Sequence, residues 1–274
     1  GGSDVKGSLP AEWSRFQGVD KEFVQLMRKV ASKKSIVEVL AVEGLVKSLE
    51  RMGHTCTTIQ KHLAQYLQTQ RQQFCRFYFL GDDDLLDIIG GGGGIGKVAS
   101  HLGKMFAGVV GVEGQDLVGA DPKIEALVSK EGEIVPLSNP VSLKENVISW
   151  LTKLESGMYS TLANLLHAAM KDDGTGKEDG VVAWAEQYPA QVVLLGMLVQ
   201  WCMAVDDSLT PDTTGESKSD PRDELNSVLS ALETKLAIMA KTVLSNTVAP
   251  NTRKKYEQVI TELVHQRDVT RSLI

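Results

Sequence analysis

The amino-acid sequence predicts a mainly α-helical fold, built from helical bundles, with a small antiparallel β insertion around residues 108–140. Three observations lead to this prediction. Over most of the chain, apolar residues recur three and four positions apart, which places them on one helix face. Between residues 108 and 140, short β-branched runs are broken by Gly, Asp and Pro, as is typical of strands. Only 5% of the residues are aromatic, yet several concentrate at residues 74–79, so we expect that segment in the core.

The N-terminal third is predicted to consist of amphipathic helices packed by their apolar stripes. The first helix is expected to use Asp20 as its N-cap. A second run begins at Ile36 and should end near Gly53, and a third extends from Ile59 through Gln73.

The region after residue 80 combines a predicted helix start with a run of glycines. Residues 81–84 read Gly-Asp-Asp-Asp, and their carboxylates suit the positive end of a helix. Residues 90–94 are all glycine, which cannot hold a regular element at low entropic cost. A short helix is predicted to follow, from about Ile95 to Phe106.

The β insertion is expected to contain runs at residues 109–112, 124–128 and 134–137, and to close at Asn139–Pro140. Beyond it the chain returns to helix, first along an apolar stripe from Val147 to Leu166.

The C-terminal helical region at residues 181–206 is expected to break at Tyr188–Pro189, because the residue before a proline avoids the α conformation. Two more helices are predicted, one around Leu225 and one after Asn251.

Composition indicates a soluble globular protein. The chain has 274 residues, a net charge of −6 and 42% hydrophobic residues. This mild acidity argues against a nucleic-acid binder, which needs a basic face. Three cysteines without CxxC spacing favour a reducing compartment. The most apolar segment, residues 190–205, is shorter than the ~20 residues of a bilayer span, so we expect a buried core helix there.

The segment Gly91–Lys97 matches the first seven positions of the phosphate-binding loop G-x-x-x-x-G-K-[ST], but Val98 stands where the magnesium-binding hydroxyl belongs. A phosphate loop also follows a buried strand of a parallel sheet, and the predicted helical context supplies none. We therefore favour a Gly-rich connector at residues 90–96 and keep nucleotide binding through Lys97 as the rival interpretation.

No group of residues forms a convincing catalytic, cofactor-binding or metal-binding constellation. The carboxylates of residues 82–84 could chelate a cation, but the EF-hand spacing is absent and helix capping is favoured. His54, Cys56 and Cys75 lack a fourth ligand for a soft metal. The histidines are dispersed and no G-x-S-x-G elbow occurs. We therefore expect none of these three kinds of site in the chain.

The segment Arg76–Gly90, which reads RFYFLGDDDLLDIIG, closely resembles a signature in the linker of dynein heavy chains, the region preceding their ring of AAA+ modules. The resemblance assigns the family signature and core to Arg76, Phe77, Tyr78, Phe79, Gly81, Asp82, Asp83, Asp84, Leu85 and Leu86. Further blocks occur in the family's order, at residues 101–108, 131–136, 147–151, 188–192 and 265–269. The resemblance thus spans nearly the whole chain from about residue 9.

Among dyneins, Leu9–Asp20 and the Gly81–Asp84 variant are most similar to cytoplasmic dynein 2, the retrograde motor of intraflagellar transport. Cytoplasmic dynein 1, which shares Met105–Gly108, is the runner-up. Two departures from the family pattern stand out: Cys75 takes the place of a proline, and the glycines at 90–94 replace a polar stretch.

The resemblance implies a mechanical role. In dyneins the linker bends and straightens over the AAA+ ring of the same heavy chain, and so transmits ATP-driven force for minus-end-directed transport. ATP and magnesium are then bound by the ring, and microtubules by the stalk, both outside this segment, which is itself expected not to be an enzyme. Dimerisation of the heavy chain and other dynein subunits are implied as partners, without nucleic acid or membrane.

The implied location is the microtubule cytoskeleton of the cytoplasm and, more specifically, the cilium or flagellum. The alternatives are the linker of cytoplasmic dynein 1 or of an axonemal dynein, or a stand-alone helical adaptor or nucleotide-binding module.

These interpretations divide the chain into five parts. Residues 1–8 are a disordered N-terminus or expression remnant, 9–89 a helical subdomain, 90–96 the connector, 97–140 a short helix with the sheet, and 141–274 a helical subdomain leading toward the first AAA+ module. We hypothesise that Gly90, Gly91, Gly92, Gly93, Gly94 and Gly96 form a flexible joint. We also expect Phe77, Tyr78 and Phe79 to anchor the core that joins the two halves, with Arg76 paired to a carboxylate.

Overall fold

The computed structural model describes residues 6–7, 9–33, 35–90, 95–115, 117, 119–172, 180–210, 220–245 and 248–274. The helices are α1 (Pro10–Ala31), α2 (Ile36–Leu40), α3 (Leu45–Gln73), a 3-10 helix (Cys75–Phe79), α4 (Asp82–Gly90), α5 (Ile95–Ala99), α6 (Leu102–Met105), α7 (Val147–Lys171), α8 (Gly180–Gln187), α9 (Ala190–Leu209), α10 (Pro221–Leu244) and α11 (Pro250–Leu273). The strands are β1 (Val109–Glu113), β2 (Lys123–Ser129) and β3 (Ile134–Ser142). The predicted fold class, mainly α with a small antiparallel sheet, is confirmed.

The chain divides into two compact units. Unit 1 comprises Gly1–Ile124 and Val141–Lys153, and unit 2 comprises Glu125–Pro140 and Leu154–Ile274. The chain passes from one unit to the other within β2, within β3 and within α7. The expected N-terminal tail falls largely outside the described residues, because residues 1–5 and 8 are not among them.

Helix α1 of unit 1 begins ten residues before the N-cap that the sequence pattern suggested. Pro10 stands in its first turn, where the N–H that proline lacks would have no helical partner anyway. Asp20 lies inside the helix, so the expected N-cap is wrong.

Helix α3 continues through Gly53, which was expected to end it. One helical glycine costs only about 1 kcal/mol, and burial of Met52 and Leu67 on the same helix outweighs that cost.

Polar contacts join helices α1 and α3, and no described residue of α1 is fully buried. The Glu22 carboxylate accepts a hydrogen bond from Ser48 Oγ at 2.6 Å and pairs with Arg51. Nearer the start of α1, His62 Nδ1 lies 2.8 Å from Glu12 Oε1. The hydrogen bond with His62 lowers the pKa of Glu12, and the one from Ser48 lowers the pKa of Glu22.

The sheet has the order β1-β2-β3, so each strand pairs with its neighbour in sequence. Gly132, in the turn between β2 and β3, has φ +84°, a left-handed conformation that favours glycine. Strand β3 continues through Pro140 to Ser142, so the expected closure at Asn139–Pro140 is wrong. An edge strand can accommodate proline because one side of it needs no ladder hydrogen bonds.

Unit 2 is organised around an apolar core shared by α7 to α11. Its buried members are Ala169, Trp184, Ala185, Tyr188, Val192, Val193, Met197, Leu232, Met239, Tyr256, Val259 and Leu263. The predicted break at Tyr188–Pro189 is confirmed, since α8 ends at Gln187 and α9 begins at Ala190. Helix α11 begins at Pro250, two residues before the start suggested by the sequence, which was placed after Asn251.

Helix α9 contributes Val192, Val193 and Met197 to this core, as expected of a core helix, while Leu195 and Leu198 lie exposed. It has 20 residues, so the argument that this segment is too short for a bilayer is wrong. Of the helices in the described part of the chain, α9 alone is long and apolar enough to cross a membrane, a test that core helices also satisfy.

Candidate functional site

The signature segment, Arg76–Gly90, begins in the 3-10 helix that follows α3. The backbone of Phe74 is extended, and it breaks α3 before the chain winds into Cys75–Phe79. Phe77 N–H donates to the Phe74 carbonyl, and Leu80 N–H to the Phe77 carbonyl. Since a 3-10 helix has three residues per turn, these hydrogen bonds stack residues 74, 77 and 80 on one face.

That face is the buried one. Phe74, Phe77 and Leu80 are all buried, and the rings of Phe74 and Phe77 meet edge to face with centroids 5.0 Å apart. Tyr78 and Phe79 are 53% and 67% exposed. The expected three-residue aromatic anchor is therefore wrong for Tyr78 and Phe79, because the 3-10 period turns them outward.

Arg76 links the 3-10 helix to α6 within unit 1. Its Nη1 donates a hydrogen bond to the Met105 carbonyl at 2.9 Å, and its guanidinium lies 4.7 Å from the ring centroid of Phe106. A cation over an aromatic face is attracted by the ring quadrupole. The expected pairing of Arg76 with a carboxylate stays a prediction.

The carboxylates at residues 82–84 occupy the first turn of α4, as the sequence predicts, and sit favourably at its positive end. They also bind cationic side chains. Arg71 Nη2 donates to both the Leu80 carbonyl at 3.0 Å and Asp82 Oδ1 at 2.7 Å. Lys104 Nζ donates to Asp84 Oδ2 at 2.6 Å, which lowers the pKa of Asp84. These contacts fit helix capping better than cation chelation.

Leu85, in the same helix, is fully buried, and Leu86 is half-buried. Gly81, just before α4, is exposed, and its carbonyl accepts the N–H of Leu85. The apolar members of the signature segment therefore form core contacts, and its polar members form caps and ion pairs.

Lys97 of the glycine motif lies in α5, and its Nζ donates to Asp87 Oδ1 at 2.8 Å, which lowers the pKa of Asp87. The element before the glycines is α4, a helix, whereas a phosphate loop follows a strand. Both observations weigh against nucleotide binding through Lys97. The loop itself, residues 91–94, lies outside the described residues.

The glycine joint is therefore only partly visible. Gly90 is the last residue of α4 and is buried, and Gly96 lies within α5, so both are helical rather than part of an irregular connector. Gly91, Gly92, Gly93 and Gly94 are not among the described residues. The flexible joint stays a prediction.

In unit 2, residues from two of the blocks that resemble the dynein family, 131–136 and 188–192, lie close together. With Lys255 they form what we call the Glu133 cluster: Glu133, Tyr188, Ala190 and Lys255. Both carboxylate oxygens of Glu133 lie 3.1 Å from the Ala190 N–H, so Glu133 caps the first residue of α9. Lys255 of α11 donates to the Tyr188 carbonyl and lies 3.5 Å from Glu133 Oε1. The β2–β3 turn is thereby tied to two helices.

Lys255 of this cluster is deeply placed for a lysine, and burial lowers its pKa, while the charge of Glu133 acts in the opposite direction. From the sequence, Glu133 and Ala190 were named only within family blocks, Tyr188 also at the predicted helix break, and Lys255 was missed. No local signal could have found it, since 122 residues separate the two charged partners.

A metal site is not indicated in the described residues. No group of three or more His, Cys, Asp or Glu side chains among them could hold a metal ion. Cys56, Cys75 and Cys202 are free thiols.

The fold and these contacts define a class: an α-helical structural module whose charged residues serve as caps and ion pairs around packed cores. Comparison with known proteins identifies the family. Residues 1–169 match the family model described as "Dynein heavy chain, N-terminal region 2". The chain therefore belongs to the dynein heavy chain family and is an N-terminal segment of such a chain.

Individual relatives agree with this assignment. The chain is 37% identical to the cytoplasmic dynein heavy chain of Paramecium tetraurelia, and 38% identical to those of Dictyostelium discoideum and Drosophila melanogaster. Each match covers 100% of this chain but only 6% of the relative. The chain thus spans a small part of the length of the relatives it matches.

Proposed function

We propose that this segment is the mechanical linker of a dynein heavy chain, which bends and straightens over an AAA+ ring to transmit ATP-driven force along microtubules. The observation that carries the proposal is the match of residues 1–169 to an N-terminal region of dynein heavy chains. ATP and magnesium binding belong to the ring of the same chain in this proposal, and microtubule binding to its stalk. The heavy-chain dimer and its associated subunits are the partners.

The internal contacts suit this task, because a lever must transmit force without deforming within its parts. In unit 1 the 3-10 helix and α4 each pack against α3 and each bury apolar side chains. In unit 2 the Glu133 cluster ties the β2–β3 turn to α9 and α11. Bending would then be confined to a few joints, a known repertoire for conformational change. We place one such joint at the glycines of residues 90–96.

The transport class is proposed at two levels. The relatives bear the printed name of cytoplasmic dynein heavy chains, which supports a place on cytoplasmic microtubules. Retrograde intraflagellar transport is the narrower proposal, and it rests on the sequence of Leu9–Asp20 and the Gly81–Asp84 variant. Fluorescent tagging of the heavy chain tests it: movement toward the ciliary base supports it, and exclusion from cilia contradicts it.

The mechanical role is tested by substituting Glu133→Gln in the complete heavy chain. The amide keeps the size of the side chain but weakens both the α9 cap and the pairing with Lys255, at a cost of about 1–3 kcal/mol. We expect microtubule gliding velocity to fall while ATP turnover by the ring persists, so that less movement is obtained per ATP. Glu131→Gln, in the same turn but at an exposed side chain, is the matched control and should glide like the parent.

Equal gliding velocities of the parent, Glu133→Gln and the control would contradict the mechanical role.

Two rival functions have their own tests. Saturable ATP–magnesium binding by the isolated chain that disappears in Lys97→Ala would favour a nucleotide-binding module. A stable complex with a soluble partner in the absence of the ring would favour an adaptor.

A further inference from the structure

Helix α9 of unit 2 is apolar over most of its surface, yet much of that surface is not covered by the protein. Only 28% of its most apolar stretch of 18 residues is buried. One face of the helix, with Val192, Val193 and Met197, belongs to the core. Since a helix that is apolar on all sides is normally buried on all sides, we expect a partner on the outer face of α9.

The outer face carries what we call the α9 seam, five apolar residues spaced alternately three and four positions apart: Leu195, Leu198, Cys202, Val205 and Leu209. Leu195, Leu198 and Leu209 are 41%, 38% and 47% exposed. Cys202 is also exposed, and Val205 is half-buried. This is the a and d spacing of a coiled coil, in which a line of apolar side chains faces one neighbouring helix. The seam therefore fits an α-helix as its partner.

The charge beside the seam indicates the kind of helix. Asp206, near the C-terminal end of the seam, is exposed, and its carboxylate forms no ion pair with the described residues. The last turn of α9 contains no basic residue, and the carbonyl groups at a helix C-terminus carry partial negative charge. Both features attract a lysine or arginine of a partner and repel a carboxylate.

The same features weigh against a lipid bilayer as the covering of this face. To span a bilayer, α9 would have to leave the core to which Val192, Val193 and Met197 belong. To lie on an anionic bilayer surface, the seam would have to bring Asp206 close to headgroups of the same charge. A protein helix avoids both costs.

We propose that the α9 seam docks an amphipathic helix of a protein partner, with apolar residues at the same three-and-four spacing and a lysine or arginine opposite Asp206. The leucines of the seam interdigitate with the apolar side chains of that helix. The small side chain of Cys202, at the midpoint of the seam, permits a close approach, because the distance between packed helices depends on the side chains at the contact. The site is independent of the proposed linker function, since it depends only on α9 within unit 2.

The test uses the whole 274-residue chain and three fluorescently labelled helical peptides. The first has leucine at heptad positions a and d and lysine at e and g, where like charges keep the peptide from pairing with itself. The second has glutamate in place of the lysines, and the third has glutamine in place of the leucines. Fluorescence anisotropy should show saturable binding of the first, binding of the second that is at least about tenfold weaker, and no binding of the third.

Alkylation by iodoacetamide locates the binding site on the parent chain. Cys202 and Cys75 are both exposed thiols, but only Cys202 belongs to the seam. With the first peptide at saturation, alkylation of Cys202 should slow at least about fivefold, because seam residues of a coiled coil lie between the helices. Alkylation of Cys75 should be unchanged. Equal protection of the two thiols, or protection of neither, would overturn the proposal.

The paired variants are Leu198→Gln, on the seam, and Leu244→Gln, at an exposed leucine that ends α10. Leu198→Gln should weaken binding of the first peptide at least about tenfold, and Leu244→Gln should leave it unchanged. Asp206→Asn should narrow the difference between the lysine and glutamate peptides.

Equal binding of the three peptides, unaltered affinity in Leu198→Gln, or tighter binding to phosphatidylcholine vesicles than to the first peptide would overturn the proposal. A dimer of the chain that Leu198→Gln dissociates would also overturn it, since the occupant would then be a second copy. If Leu198→Gln fails to fold, the ranking of the peptides and the protection of Cys202 on the parent chain still decide.

Discussion

At the scale of single residues, the 3-10 helix Cys75–Phe79 sorts neighbouring aromatic rings into two environments. Phe77 is completely buried, whereas Phe79, two positions on, is 67% exposed. The two rings are chemically identical, so their contributions to stability differ only through their surroundings.

We therefore expect Phe77→Ala to lower the free energy of unfolding by about 3–5 kcal/mol, since it leaves a cavity in the core. Phe79→Ala should change it by less than about 0.5 kcal/mol, as is usual for an exposed position. Urea denaturation of parent and variants measures both values. Similar losses from the two substitutions would show that the turn does not separate the rings as described.

The aromatic concentration in the sequence correctly pointed to a core segment but not to the orientation of each ring. An α-helix, a β-strand and a 3-10 helix over residues 74–80 would each bury a different set of side chains. Formation of the 3-10 helix depends on where α3 ends. That stop is a matter of tertiary packing, so Tyr78 and Phe79 could not be assigned to the surface from the sequence.

At the scale of elements, the helices tolerate glycine for two different reasons. Gly53 lies in α3 with open space where a Cβ atom would stand. Gly196 lies in α9, where a Cβ atom would come within 3.2 Å of two ring carbons of Trp184. Gly53 therefore only weakens its helix, whereas Gly196 allows α9 to approach the Trp184 ring closely.

Alanine substitution should therefore act in opposite directions at these two positions. Gly53→Ala should stabilise the protein by about 0.5–1 kcal/mol, because alanine restricts the unfolded chain and favours helix. Gly196→Ala should destabilise it, because Trp184 or α9 must shift to admit the methyl group. Thermal melting of the two variants checks the signs. Stabilisation by both would mean that the Trp184 contact is not tight.

Element type was predictable where the signal is local: the apolar stripe of α7, the break at Tyr188–Pro189 and the acidic start of α4 all agree with the structure. Element ends were harder to predict, as Gly53 shows. The Glu133 cluster was out of reach for another reason, since it joins segments far apart in the chain through side-chain contacts.

At the scale of the whole molecule, the two units differ in their ionisable contacts. Hydrogen bonds from neighbouring side chains lower the pKa of several carboxyl groups in unit 1. These are Glu12, Glu22, Asp84, Asp87, Glu145 and Asp121, whose pKa falls to about 2 through hydrogen bonds from Lys123 and Lys144. The resolved shifts in unit 2 belong instead to Tyr188, Lys255 and Tyr256.

A carboxyl group whose pKa is lower in the folded protein than in the unfolded chain stabilises the fold at pH values above its pKa in the unfolded chain. This stabilisation is lost as the pH falls through the pKa of the group in the folded protein. Acidification from about pH 4.5 to about pH 2 should therefore weaken unit 1 before unit 2. The indole NMR signals of Trp150 in unit 1 and Trp184 in unit 2 follow each unit separately. Simultaneous loss of both signals, or earlier loss of Trp184, would contradict this expectation.

Ionic strength provides a second test of whether ion pairs cause the acid sensitivity of unit 1. The carboxylates concerned are solvent-accessible, so added salt screens their ion pairs. The difference in acid sensitivity between Trp150 and Trp184 should then narrow as ionic strength rises. A difference that is independent of salt would assign it to packing rather than to ion pairs.

We propose above all that this segment moves as a lever over the ring of a dynein heavy chain. The most direct measurement places one fluorophore at Leu244→Cys, an exposed position at the end of α10, and another on the ring of the complete heavy chain. We expect energy transfer between them to change when a non-hydrolysable ATP analogue binds and to return to its first value when the analogue is removed. An unchanged transfer efficiency through the nucleotide cycle, in a motor that still moves microtubules, would contradict it.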